Sequence, residues 1–329
     1  MSAGGEVAGV LLMTYGSPAT LEDVPAYLAS VRGGRPAADE LVQEFKRRYA
    51  LIGGSPLLAI TRAQAAAVAE RMNADGGAGP EGRRVVAAVG MRHAPPQIAG
   101  GLEELARAGA TRVAAVILSP QYSPIIMGGY NRAVDAARER APRTDVRVAG
   151  AWHLHPLFLE ALAQRVREAL DRFPAAERDS VPVILTAHSL PKSVVDREPE
   201  YLDQLQATVH AVVARLGLPA GRWQFAYQSA GHTPEEWLKP DLKDLLPGLR
   251  AAGHRSVLVV PVQFLADHLE VLYDIDVAAR QEAESAGLAF NRIESLNTMP
   301  QFVAALADVA RRTLALDPAA ARSSEAVRV

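Results

Sequence analysis

The sequence predicts an α/β protein built as two similar doubly wound halves. Three observations carry this expectation. Short runs rich in Val, Leu, Ile and Ala alternate with helical segments along the chain. Such continuous apolar runs fit parallel strands buried on both faces. Four runs fall in each half, and the His, Tyr and Arg residues with chemistry in them cluster just past the ends of the runs. Strands separated by helices imply right-handed crossovers and parallel sheets, which bind ligands beyond their carboxyl edges.

In order, the first half offers strands at Val10–Met13, Val85–Val89, Val113–Leu118 and Val146–Ala149. Helices are expected over Leu21–Val31, Asp39–Ile52, Leu57–Asn73, Pro96–Gly109 and from Tyr130 to Ala141. Gly53–Pro56 breaks the second of these, and Asp75–Gly82 reads as a Gly-rich loop. Pro156 suits the first turn of a helix running to Phe173. The second half offers strands at Val183–Thr186, Trp223–Tyr227, Val257–Val260 and Ala289–Ile293. Its helices are expected over Glu200–Leu216, Asp241–Ala252, from Asp267, and from Pro300 to Leu316, with a frayed polar tail from Asp317. The expected division is 1–152 plus a returning C-terminal helix 300–316 against 153–299, linked near Trp152–Pro156.

Composition narrows function. With 329 residues, 49% of them hydrophobic, the chain has ample core for two domains. A net charge of −2 gives no basic field for nucleic acid. With no cysteine, disulfides, thiolate nucleophiles, Cys-bound zinc and iron–sulfur clusters are excluded. No run approaches the ~20 apolar residues of a membrane span and no signal peptide opens the chain, so a cytoplasmic protein is expected. Neither a Gly-rich dinucleotide fingerprint nor a phosphate-loop lysine occurs.

Strand ends in the first half are followed by Tyr15, His93, Tyr122, Trp152 and His155, and in the second by His188, His232, His268 and Glu270. Two facing rims would bring these onto opposite walls of one cleft. Glu270 and Asp274 lie four apart, on one helix face. Taken alone, Asp267 and Glu270 read equally well as a capping box. With His188, the Glu270 and Asp274 carboxylates would suit a divalent first-row metal such as Fe(II). Arg32, Arg35, Arg47, Arg48 and Arg92 suit a flat ligand carrying carboxylates.

At this point the segments LLMTYGSP, RYALIGGSPLLAITRAQ, SPQYSP, GGYNRA, LTAHSLP, WQFAYQSAGHTPEEWLKP and VVPVQFLADHLEVLYDID carry a resemblance. Together and in order they resemble the ferrochelatases of haem synthesis over nearly the whole chain. The resemblance implies a chelatase-like pair of Rossmann-like domains that inserts ferrous iron into a porphyrin. His188 and Glu270 match the family's metal and proton-transfer pair. Tyr15, Arg32, Arg48, Tyr49, Ser55 and Tyr130 match porphyrin-binding positions of its coproporphyrin III branch; protoporphyrin forms usually read N-L-G-T-P near Tyr15. What is implied is a monomer whose substrates are coproporphyrin III and iron, with no further cofactor and a transient haem-pathway enzyme as partner. The alternatives are a protoporphyrin IX ferrochelatase, or a non-catalytic porphyrin or haem carrier, which would have no use for both His188 and Glu270. Three departures stand out: Gly33 in place of a second arginine, a loop one residue shorter before Ser55, and Ala278 where a third acid can extend the Glu270–Asp274 face.

Overall fold

A computed structural model describes residues 7–74, 84–231 and 234–315. The Gly-rich stretch Asp75–Gly82, His232, Leu316, the tail and the extreme N-terminus lie outside these residues, in whole or nearly so.

Two four-stranded parallel sheets organise the chain. The first consists of β1 (Val7–Thr14), β2 (Arg84–Met91), β3 (Ala110–Ile117) and β4 (Asp145–Val148), in the order β2-β1-β3-β4. The second consists of β5 (Val183–His188), β6 (Trp223–Gln228), β7 (Ser256–Pro261) and β8 (Ala289–Arg292), in the order β6-β5-β7-β8. The two orders are the same pattern repeated. Each chain path reverses beside its first strand, so β1 and β5 end at the switch points where such sheets bind ligands.

The helices are α1 (Val24–Val31), α2 (Asp39–Leu51), α3 (Leu57–Ala74), α4 (Ile98–Arg107), α5 (Pro124–Arg138), α6 (Pro156–Leu170), α7 (Ala175–Arg178), α8 (Lys192–Val195), α9 (Glu200–Leu216), α10 (Leu242–Ala251), α11 (Arg280–Ser285) and α12 (Pro300–Ala315). α5 starts a full turn before the expected Tyr130. Pro124 takes the first helical position, and the Ser123 hydroxyl caps it by accepting from the Ile126 N–H at 3.1 Å.

α12 returns to lie on α3, β3 and β4 of the first sheet and on α6. Phe158, Phe302 and Trp152 interlock there, with Trp152 and Phe158 ring centres 5.2 Å apart. One core cluster therefore runs through both halves. The Trp152–Pro156 link is packed rather than loose. Trp152 is buried and donates to the Ile117 carbonyl, while His155 meets Asp308 of α12 at 2.8 Å. Among the described residues, no helix is long and apolar enough to cross a membrane.

Candidate active site

Between β7 and α11 the chain forms a π-helix, Glu270–Ala279. The sequence had suggested an ordinary helix from Asp267. Its buried residues, Val271, Ile275 and Ala279, recur strictly every fourth position, without the three-residue steps of an α-helical stripe. Wide-turn segments with i→i+5 bonds are rare and occur mostly at functional sites.

The capping role for Asp267 is overturned. Its carboxylate is taken by the Ser295 hydroxyl at 2.6 Å and the Asn297 amide at 2.9 Å, both from the segment after β8. The N-cap position belongs to Leu269, which offers no side-chain bond. Arg292 braces the same region by a two-pronged contact to Asp276 at 2.7 Å on both oxygens. Asp267 thus secures the loop that delivers Glu270, and the Glu270 carboxylate is left for other partners.

Those partners are two imidazoles. The Glu270 carboxylate lies 3.6 Å from His188 Nε2 and 3.8 Å from His268 Nε2. His188 ends β5, and its Nδ1 contacts the Ser189 carbonyl oxygen. A carbonyl only accepts, so Nδ1 carries a hydrogen, and Nε2 is the ring nitrogen turned to Glu270. His268 is held the same way, its Nδ1 donating to the Ala266 carbonyl at 2.8 Å. Burial pushes the Glu270 carboxyl up, but the His188 and His268 imidazoles outweigh burial and bring it to about 2. Burial pushes His268 down, but the adjacent Glu270 carboxylate reverses this and raises it. Asp274, one turn on, is raised by burial and then by the Glu270 charge, against a Ser229 hydrogen bond and Arg48.

The opposite wall comes from the first sheet. Tyr15 follows β1 and is exposed, with its ring 4.4 Å from that of His93. Gly16 allows this close turn: its φ is +97°, and a Cβ there would meet the Ala94 backbone nitrogen at 3.1 Å. Burial raises the Tyr15 phenol, Arg92 lowers it, and Glu270 raises it further. The two halves meet beside this site: Arg48 of the first lies 3.8 Å from Asp274 of the second, and Leu269 packs in one cluster with Tyr49. Burial and then Arg92 drive His93 down to about 4, against a contact from Ser30 at 3.0 Å. It stays neutral at ordinary pH.

The remaining expected residues are spread around that space. Arg32 lies exposed at the end of α1. Arg48 and Tyr49 end α2, where Arg48 is 3.8 Å from Asp274 and Tyr49 is buried in a cluster with Val24, Leu28, Val42 and Leu269. A cavity of about 260 Å³ lies beside Tyr49, lined by Pro18–Leu21 and the Gly53–Gly54 turn. Ser55 follows that turn, its hydroxyl accepting from the Leu57 N–H at 3.4 Å. Tyr130 is buried, with the Arg92 guanidinium 5.7 Å over its ring. Arg92 rests against Gly129, where an added Cβ would fall 2.0 Å from the guanidinium carbon. Arg35 donates to the Arg32 carbonyl at 3.3 Å, and Arg47 donates to Glu44 and Tyr273. Sequence reasoning passed over His268 as a partner of Glu270 and Tyr273 as a partner of Arg47, although both lie in the motif around Glu270. Among the described residues, no set of three or more His, Asp or Glu side chains could hold a metal ion by itself.

Comparison with known proteins decides the family. Residues 7–314 match the sequence model of the family Ferrochelatase. The chain belongs to the ferrochelatase family. It is 40% identical over 309 residues to the Ferrochelatase of Deinococcus radiodurans, covering 93% of this chain and 96% of that one. It is 34% identical over 312 residues to the Coproporphyrin III ferrochelatase of Geobacillus thermodenitrificans, covering 94% and 97%. In fold it is similar to SirB from Bacillus subtilis with Fe3+, at a TM-score of 0.58 and 14% identity, covering 94% of this chain and 96% of that one. The two-sheet chelatase architecture is thus shared well beyond the ferrochelatases.

Proposed function

We propose that this chain inserts ferrous iron into coproporphyrin III to give Fe-coproporphyrin III. The observation that carries it is the His188–Glu270 pair, 3.6 Å apart after the second sheet, with Tyr15 following the first strand of the first sheet. A flat macrocycle between those walls has its centre open to both. In this division of labour, residues 1–152 with 300–316 form the porphyrin half and 153–299 the iron half.

The inner pyrrole N–H groups of a porphyrin point at one another, so metal entry requires their loss as two protons. His188 Nε2 accepts such a proton, and Glu270 at 3.6 Å holds the resulting imidazolium and passes the proton outward. Its side chain is 38% exposed, which leaves it a route to solvent. As donors, His188 and Glu270 fit a ferrous ion in transit, and the four ring nitrogens complete its capture. Iron enters as a substrate, and the reaction calls for no resident cofactor. Arg32, Arg48, Tyr49, Ser55 and Tyr130, with Tyr15, hold the macrocycle and its carboxylates. Charge-assisted contacts of this kind are each worth about 1.5–3 kcal/mol when water is excluded.

The four-carboxylate substrate is supported by Tyr15 and by the relatives named Coproporphyrin III ferrochelatase at 34% and 35% identity. The protoporphyrin IX alternative is kept open by the relative at 40%, named simply Ferrochelatase. A paired assay of porphyrin fluorescence loss, with the same iron supply, separates them. Coproporphyrin III is expected to turn over at least about tenfold faster, the worth of one retained contact. Equal or faster turnover of protoporphyrin IX moves the chain to the other branch, and binding without any iron insertion makes it a carrier.

A further inference from the structure

Arg48 is held from behind. On α2, Glu44 and Arg48 are four residues apart and so share a face. Arg48 Nε donates to Glu44 Oε1 at 2.7 Å. Arg47 grips the same carboxylate with Nε at 2.8 Å and Nη2 at 2.9 Å. The guanidinium of Arg48 lies 4.9 Å from the Tyr273 ring centre and 5.7 Å from that of Phe45. Its Nη1 is 3.8 Å from Asp274, beyond hydrogen-bonding length, and the side chain is 19% exposed. A guanidinium offers five N–H donors on two edges. Glu44 consumes the Nε edge, and aromatic rings fix the plane. Among the described residues the terminal N–H groups make no hydrogen bond, with Asp274 the nearest carboxylate at 3.8 Å, so they remain available.

We infer that Glu44 is a positioning residue for ligand binding: it locks Arg48 so that its terminal N–H pair meets a carboxylate of the porphyrin. The inference rests on the role given to Arg48 above. An arginine left free loses rotamer freedom when it grips a ligand, whereas one already locked loses little. The charge of Glu44 does not cancel the site, because two guanidiniums share that one carboxylate.

The test is steady-state kinetics with coproporphyrin III on E44A, E44Q, R47A, R48A and the double variant E44A/R48A, beside thermal melts. Alanine is a strong helix former, so E44A is expected to fold. E44A should raise KM about tenfold with kcat within about twofold, the cost of one immobilised side chain. E44Q, which keeps one acceptor for Nε, should lie between E44A and the parent. R47A should leave KM within about twofold, and E44A/R48A should match R48A alone, since a residue acting through Arg48 has nothing to add once Arg48 is gone. An unchanged or lowered KM in E44A, with R48A raising KM, overturns the role of Glu44 and leaves Arg48 in place. The same shift in R47A as in E44A overturns it too, because the effect would then run through the Arg47–Tyr273 contact. A fall in kcat and melting temperature at constant KM reduces Glu44 to a helix brace. No change of KM in R48A removes Arg48 from the porphyrin site, and this inference falls with it.

Discussion

The two walls of the cleft use one residue type in opposite ways. His93, after β2, lies against the Tyr15 ring and beside Arg92, and is driven down to about 4 by burial and that cation. His268, after β7, lies beside Glu270 and is driven up. The sheets that deliver them have the same strand order, so the difference comes from their neighbours. The first wall gathers Arg32, Arg48 and Arg92, and the second gathers Glu270 and Asp274. A repeated fold thus carries a cationic, aromatic side and an acidic, imidazole side, the division of labour proposed above.

The contrast breaks most visibly if the second wall loses its base. His188→Ala is expected to cut iron insertion by about 10²–10⁴, the usual worth of a positioned acid–base group, while porphyrin binding persists. Stopped-flow insertion beside fluorescence-quenching titration checks both halves of that statement; near-parental turnover removes His188 from the chemistry. Glu270→Gln is expected to cost turnover by about 10² while the melting temperature moves by less than about 2 °C. A capping role alone would leave both nearly unchanged, because glutamine serves equally well in a capping box. Melts and kinetics on the same preparation decide it.

The first wall is sharpened by pH. A histidine whose folded value lies below its unfolded value near 6.5 binds protons better when unfolded. With His93 held at about 4, stability should fall as pH drops from about 6.5 toward about 4, and be unaffected by this group above that window. His93→Asn should flatten that part of the melting profile relative to the parent, and parallel profiles would show that His93 titrates normally. The smallest effect is expected where the walls touch at their rim. Tyr273→Phe deletes the 2.6 Å bond from Arg47 but keeps the ring under both arginines. Its effect on a urea titration should be the smallest of these, since Arg47 is largely exposed and its contacts are screened by solvent.

Much of this was legible in the residues. Strands buried on both faces leave continuous apolar runs, so all eight stood out, and β1 and β5 needed only their ends extended. A helix was expected from Asp241, and Asp241 is the N-cap of α10, accepting from the Lys243 N–H at 3.1 Å. Helix starts were less legible. Pro124 was passed over because the loop motif before it looked continuous, although proline suits a first turn. The alternating pattern and the strand-end residues also pointed to His188 and Glu270 as neighbours, since parallel sheets gather ligand groups at one edge.

What the chain alone determined, then, was its strands, its composition, the excluded chemistries and the residue types at each strand end, because these follow from periodicity and local sterics. Partners separated by long stretches of chain belonged to the tertiary structure. Asp267 was free to be a cap until Ser295 and Asn297, 28 and 30 residues later, claimed its carboxylate. Arg47 was one surface cation among several until Tyr273 arrived from 226 residues away. The rare i→i+5 bonding over Glu270–Ala279 was not announced by the local pattern; Ile275 and Ala279 there pack into the core of the second sheet. The same holds for protonation: His93 and His268 are identical side chains that burial pushes down alike, and Arg92 adds to that shift at His93 while the Glu270 carboxylate reverses it at His268.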